Sequence, residues 1–242
     1  GFALSEASST PVMLQLRIRA CHVRGSFVCR DNVAPAMSAR HLIEAPAPFD
    51  YTRLSHPPST FQHEKLKGDA RLPAARRYIV DHHLNEVFPG GRGDLGLIVQ
   101  GGLYNSLVRA LQQLGLADAF GGSTLSMLVL NVTCPLAPEE IRDFCLGKRA
   151  VLVVEEGQPE FIEQEILAIL RRLDVNTPIH GKDVLALAGE YTVEVITRGL
   201  AAFVARHAPD LSLDAGQAWL KANAARRDAV TTQLGAPLPA RP

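Results

Sequence analysis

The sequence predicts an α/β fold: a three-layer, mostly parallel, five-stranded open sheet over Leu95–His207 with helices on both faces. Three observations predict it. First, Leu97-Ile98-Val99, Met127–Leu130 and Ala150–Val154 are apolar runs without polar alternation, as in strands covered on both faces. Second, each run is followed by a helix start. Gly101-Gly102 precedes Leu103–Leu114, Pro135 and Pro138 with Glu139-Glu140 precede Ile141–Leu146, and Gly157, Pro159 and Glu160 precede Phe161–Leu173. Proline suits a first helical turn, where its missing N–H is not needed, and carboxylates there meet the positive end of the helix dipole. Third, Gly115 and Gly147 stand just past two of these helices, the usual glycine position beyond a helix end. Strand and helix in strict alternation imply parallel strands joined by right-handed crossovers.

In chain order, Phe2–Ser9 reads as the end of a helix separated from its own beginning, and the start at Gly1 reads as that of an excised piece. Val12, Leu14, Leu16 and Ile18 alternate with Gln15, Arg17 and Arg19, which predicts a half-buried strand with no partner nearby in sequence. Asn32–Pro58 reads as a loop. Leu72–Phe88 has near-helical apolar spacing, and Pro89–Asp94 reads as a linker. Thr177–Leu185 is a candidate further strand, interrupted by Gly181 and Lys182. Val193–Val204 predicts a helix with Val193, Ile196, Leu200, Phe203 and Val204 on one face, ended by Pro209. Asp214–Leu234 predicts one more helix, and Gly235–Pro242 a tail.

The 242 residues are 47% hydrophobic, enough for a substantial core, and 25 acids balance 25 bases. A net charge of zero removes any whole-chain electrostatic argument for nucleic acid or an anionic membrane. No apolar run reaches membrane-spanning length and no signal peptide is apparent. Cys21, Cys29, Cys134 and Cys145 are dispersed without a CxxC pair, which indicates free thiols in a reducing, cytoplasmic setting.

Few residues carry chemistry. Gly101 and Gly102, with Tyr104 and Asn105, stand between a strand end and a helix, where backbone N–H groups can hold an anion. The stretch is neither GxGxxG nor a P-loop, so a tight strand-to-helix turn is the simpler reading. Glu155, Glu156 and Gly157 end the most apolar strand, on the side where open α/β sheets place their sites. Adjacent strand positions diverge, so the two acids are no acid/base pair. One is expected to point inward and accept backbone N–H bonds, the other to face an interface. Cys134 stands before Pro135 with no base identified for it. Cys21, His22 and Cys29 lack the spacing and the fourth ligand of a zinc site. His82 and His83 are adjacent and cannot act as an i,i+4 ligand pair. No metal ligands and no catalytic residues are assigned.

Several stretches together carry a resemblance. They are Thr10–Leu14 continuing through Arg17–His22, then Leu97–Leu107, Pro135–Ile141, and Val153–Gly157 with Phe161-Ile162-Glu163. This ordered set resembles indolepyruvate ferredoxin oxidoreductase, a thiamine-diphosphate-dependent 2-oxoacid:ferredoxin oxidoreductase, in its large subunit or its long fused bacterial form. Cys134 departs from the pattern, standing where the family has an aromatic residue.

The resemblance implies that residues 1–30 end a pyrimidine-binding domain and that 31–94 form a connecting segment with a helix. It makes 95–207 a transketolase C-terminal-like domain and 208–242 a C-terminal helix and linker. It implies a parent enzyme that oxidatively decarboxylates aryl 2-oxo acids to acyl-CoA. That enzyme passes electrons to ferredoxin and uses thiamine diphosphate, Mg²⁺ and an iron–sulfur cluster. The family's GDG pyrophosphate motif and its cysteine cluster are absent from this sequence. The expectation is therefore a non-catalytic scaffold and interface domain that binds no cofactor itself. Its partners would be neighbouring domains of one polypeptide in a homodimeric parent. The alternative is a stand-alone nucleotide- or anion-binding α/β module with its ligand at Gly101-Gly102.

Overall fold

The computed structural model describes residues 1–16, 18, 24–26, 28, 29, 31, 32, 54 and 56–234. The chain divides into two compact units, Gly1–Ala75 and Arg76–Pro242. The first contains α1 (Phe2–Ser8), α2 (Ser59–Leu66), a π-turn at Lys67–Arg71 and the start of α3 (Leu72–Asp81). Val12–Leu16 forms no strand and is exposed, with Met13, Leu14 and Leu16 each more than 70% accessible. The expected half-buried strand is thus absent over these residues: apolar alternation makes a strand only where a ladder partner and a covering layer exist. Cys21 and His22, most of the 32–58 loop and the 235–242 tail lie outside the described residues.

The second unit is built on a five-stranded sheet in the order β1-β3-β2-β4-β5. Its strands are β1 (Glu86–Phe88), β2 (Arg92–Gln100), β3 (Leu125–Leu130), β4 (Ala150–Val154) and β5 (Ile179–His180). β2 is central and parallel to both neighbours, with Leu97 opposite Met127 and Leu152. β5 runs parallel to β4, and β1 alone is antiparallel, pairing Val87 with Leu128. α4 (Tyr104–Gln113), α5 (Pro138–Cys145), α6 (Phe161–Arg172), α7 (Val193–His207) and α8 (Asp214–Leu234) complete the unit.

The apolar runs divide by alternation between two cores. Leu97, Val99, Met127, Val129, Leu152 and Val154 join Leu107 and Leu111 of α4 and Ile196, Leu200 and Phe203 of α7. Ile98, Leu128, Leu130, Val151 and Val153 join Ile141 and Phe144 of α5 and Ile162, Ile166 and Ile169 of α6. This is the predicted three-layer arrangement.

Two local expectations need correction. The helix expected to reach Phe88 ends at Asp81, because His83 adopts a positive φ of 49° and Glu86–Phe88 leaves to pair with β3. The expected linker Pro89–Asp94 contributes its last three residues to β2. Gly90, at φ 66°, packs so closely on Leu125 that a Cβ there would sit 2.5 Å from its carbonyl carbon.

Candidate functional site

The C-terminal ends of the parallel strands bring together Gln100-Gly101, Asn131, Glu155 and His180. At β2, Gly101–Leu103 makes one 3₁₀ turn before α4. A Cβ at Gly101 would lie 2.6 Å from Asn131 Oδ1, so the space a side chain would take is occupied by Asn131. Asn131 Nδ2 in turn donates to Leu84 O (3.0 Å) and Glu86 Oε1 (2.9 Å). Gly102 and Asn105 are exposed, while the Tyr104 ring stacks on Phe88 at 5.6 Å.

Glu155 is 5% exposed and serves α6 from outside the helix. Its Oε1 accepts from Ile162 N at 3.0 Å, and its Oε2 accepts from Ile162 N and Glu163 N at 3.1 Å each. The residue at the helix start, Glu160, makes no side-chain cap, so Glu155 satisfies N–H groups that would otherwise lack partners. Glu156 turns elsewhere: its N–H donates to Gln100 Oε1 (3.0 Å), and its Oε2 accepts from Tyr191 N (2.8 Å). The two acids diverge as adjacent strand positions should, yet Glu156 too is engaged by backbone. Gly157 turns the chain at φ 105°, which side-chain-bearing residues rarely adopt.

Sequence reasoning missed the partner of these acids. Lys182 Nζ donates to Glu155 O (2.7 Å) and Tyr191 Oη (2.8 Å), and lies 4.5 Å above the Tyr191 ring. Tyr191, 1% exposed, donates its hydroxyl to Ala186 O at 2.6 Å. Lys182 N donates to Glu163 Oε2 (3.1 Å), and a methyl group at Gly181 would overlap that carboxylate. Burial lowers the Lys182 ammonium pKa against four surrounding glutamates and pushes the Tyr191 phenol up to about 12. Burial likewise raises Glu163. The signal in the sequence was Lys182 itself, which with Gly181 interrupts the candidate strand Thr177–Leu185.

Chemically, this is a buttressed turn. Its carboxylate oxygens accept backbone N–H bonds and its ammonium is held by a carbonyl and a hydroxyl. Among the described residues no group of three His, Cys, Asp or Glu side chains could hold a metal ion.

Residues 84–183 match the family model described as the indolepyruvate ferredoxin oxidoreductase middle domain. Over that stretch the chain is similar to the indolepyruvate ferredoxin oxidoreductase family. The matched stretch runs from just before β1 to Asp183, and so includes Gly101, Glu155, Glu156 and Lys182 but not Tyr191. Over 205 residues, 83% of this chain, it is 30% identical to indolepyruvate oxidoreductase subunit IorA of Methanothermobacter thermautotrophicus. It is 28% identical over 203 residues to the same subunit of Methanothermobacter marburgensis. The chain spans about a third (31%) of the length of each of these relatives. Among solved structures, a 2-oxoglutarate:ferredoxin oxidoreductase from Magnetococcus marinus aligns with 60% of this chain and 23% of its own. That alignment has 17% identity and a TM-score of 0.40.

Proposed function

We propose that this chain is a scaffold and interface part of an indolepyruvate ferredoxin oxidoreductase, and that it does no chemistry itself. The observation that carries this reading is Glu155, whose two oxygens accept from the N–H groups of Ile162 and Glu163 where an open α/β sheet would otherwise place a ligand. The parent enzyme would oxidise an aryl 2-oxo acid to its acyl-CoA in the cytoplasm, as a homodimer, and pass electrons to ferredoxin. The residues present do not fit thiamine diphosphate with Mg²⁺. The α6 start that could hold a diphosphate is filled by Glu155, and no three-ligand metal group exists among the described residues. Thiamine diphosphate, Mg²⁺ and the iron–sulfur cluster would therefore be held by other domains.

The interface would centre on Glu155-Glu156-Gly157. Beside this turn stand two exposed apolar side chains, Phe161 (67%) and Leu187 (63%), with Gln158 Nε2 donating to Leu187 O at 2.9 Å. An aromatic and an aliphatic group held on a rigid turn suit burial against a neighbouring domain. Calorimetry with thiamine diphosphate and Mg²⁺ tests the first part: no micromolar binding to the 242-residue chain is expected, and such binding would overturn the scaffold reading. In the full-length enzyme, Phe161→Ser is expected to lower turnover while leaving the melting of this chain alone unchanged. Unchanged turnover would remove the interface.

A further inference from the structure

A second cluster lies at the β5 edge of the same sheet, and the proposed function does not use it. His180, the last residue of β5, is 8% exposed, and its Nδ1 meets Asp183 Oδ2 at 2.6 Å. Its Nε2 lies 3.0 Å from Nε2 of His207, the last residue of α7. Phe203 packs against both rings, with centroids at 5.8 and 5.1 Å.

Two imidazole nitrogens can share a hydrogen bond only if one carries a proton and the other a lone pair. With both rings neutral and His180 donating to Asp183, His207 donates to His180. With one added proton, one Nε2 still carries hydrogen and the other a lone pair, so the bond survives. With two added protons both Nε2 atoms carry hydrogen and face each other, and the bond cannot exist. We propose that His180 and His207 form a one-proton clasp that joins the β5 edge to the C-terminal end of α7 and opens when the pair takes a second proton.

The charges around the pair resist that second proton. Arg206 lies 4.0 Å from Asp183, and Arg149, ion-paired to Asp94 at 2.7 Å, also faces His207. Only Asp183 favours the charged ring. Burial, His180 and the two arginines together hold His207 below the usual histidine range. The unfolded chain, with an ordinary histidine near about 6.5, then binds more protons than the folded one. The clasp's stability is present above that value and is lost as pH falls through the folded one. The bond matters because β5 pairs with β4 through only Ile179 and His180, and because α7 leads directly into α8. Opening would free the sheet edge and the docking of the last helix together, giving a response to mild acid.

Nitrogen-15 spectra of the histidine rings, recorded on the 242-residue chain from about pH 8 to about pH 5, test this. His207 is expected to titrate below an ordinary histidine, with the amides of Ile179, His180 and the last turn of α7 moving in step. The exposed Arg206→Gln change should raise the His207 midpoint. His180→Gln should raise it and leave the α7 amides still. His207→Gln should flatten the loss of urea stability on acidification. If His180→Gln does not fold, the Arg206→Gln titration decides. An ordinary His207 midpoint, or unmoved β5 and α7 amides through its titration, overturns the clasp.

Discussion

Glu155 shows how far one side chain can set a site's character. A carboxylate with two N–H donors, one of them shared between its oxygens, and 5% exposure is a structural cap supplied from the end of a strand. Glu155→Gln puts an amide N–H₂ where an acceptor is needed, and is expected to cost about 1–3 kcal/mol of stability in urea. Glu156→Gln keeps an acceptor for the bond from Tyr191 N and should cost less; equal losses would mean that the cap is not what distinguishes the two. The thiols differ in the same way. Cys29 and Cys134 are exposed, whereas burial pushes Cys145 up to about 12 against the opposing Lys148 charge. In the native chain Cys29 and Cys134 should react with a thiol reagent, and Cys145 only after denaturation. Prompt reaction of Cys145 would show that its cover opens.

At the scale of elements, close approach matters more than propensity. Gly199 lies in the middle of α7, a position where alanine would raise helix propensity by about 1 kcal/mol. Here a methyl group would overlap the buried Leu185 side chain and stand 3.2 Å from Val184 O. Gly199→Ala is therefore expected to destabilise the chain, the overpacking costing about 1–3 kcal/mol. A more stable variant in thermal melts would mean that the 184–185 turn yields. α6 makes the complementary point: its N-terminus depends on Glu155, so its first turn should exchange amide hydrogens faster in Glu155→Gln while its last turn does not.

At the scale of the whole molecule, both apolar cores lie within residues 95–213. A chain cut to 76–242 retains both cores and all five strands, and is expected to unfold in one cooperative transition followed by circular dichroism. Two separated transitions, or no folded baseline, would show that residues 1–75 are needed to complete the fold.

Local pattern determined the central architecture. Three apolar runs, their Pro and Gly punctuation and the α7 face sufficed for the three-layer sheet, and Asp214–Leu234 emerged with the bounds its pattern implied. The ordered set of short motifs likewise pointed to the family whose middle-domain model residues 84–183 match. These features are legible because they repeat over neighbouring residues. Other features depended on partners distant in sequence. Phe88 continues a helical spacing but pairs with β3 some 40 residues on, and Val12–Leu16 alternates like a strand but has no ladder to join. The site divides the same way. That Glu155 and Glu156 should part was readable from strand geometry, while Lys182 and Tyr191 were not, because each reaches the turn through tertiary contact. His180 and His207 are 27 residues apart, and only the packing of α7 against the sheet brings their nitrogens within 3.0 Å. Periodicity states which face of an element is buried; which element covers it, and so which polar groups meet there, is decided by the packing of the whole chain.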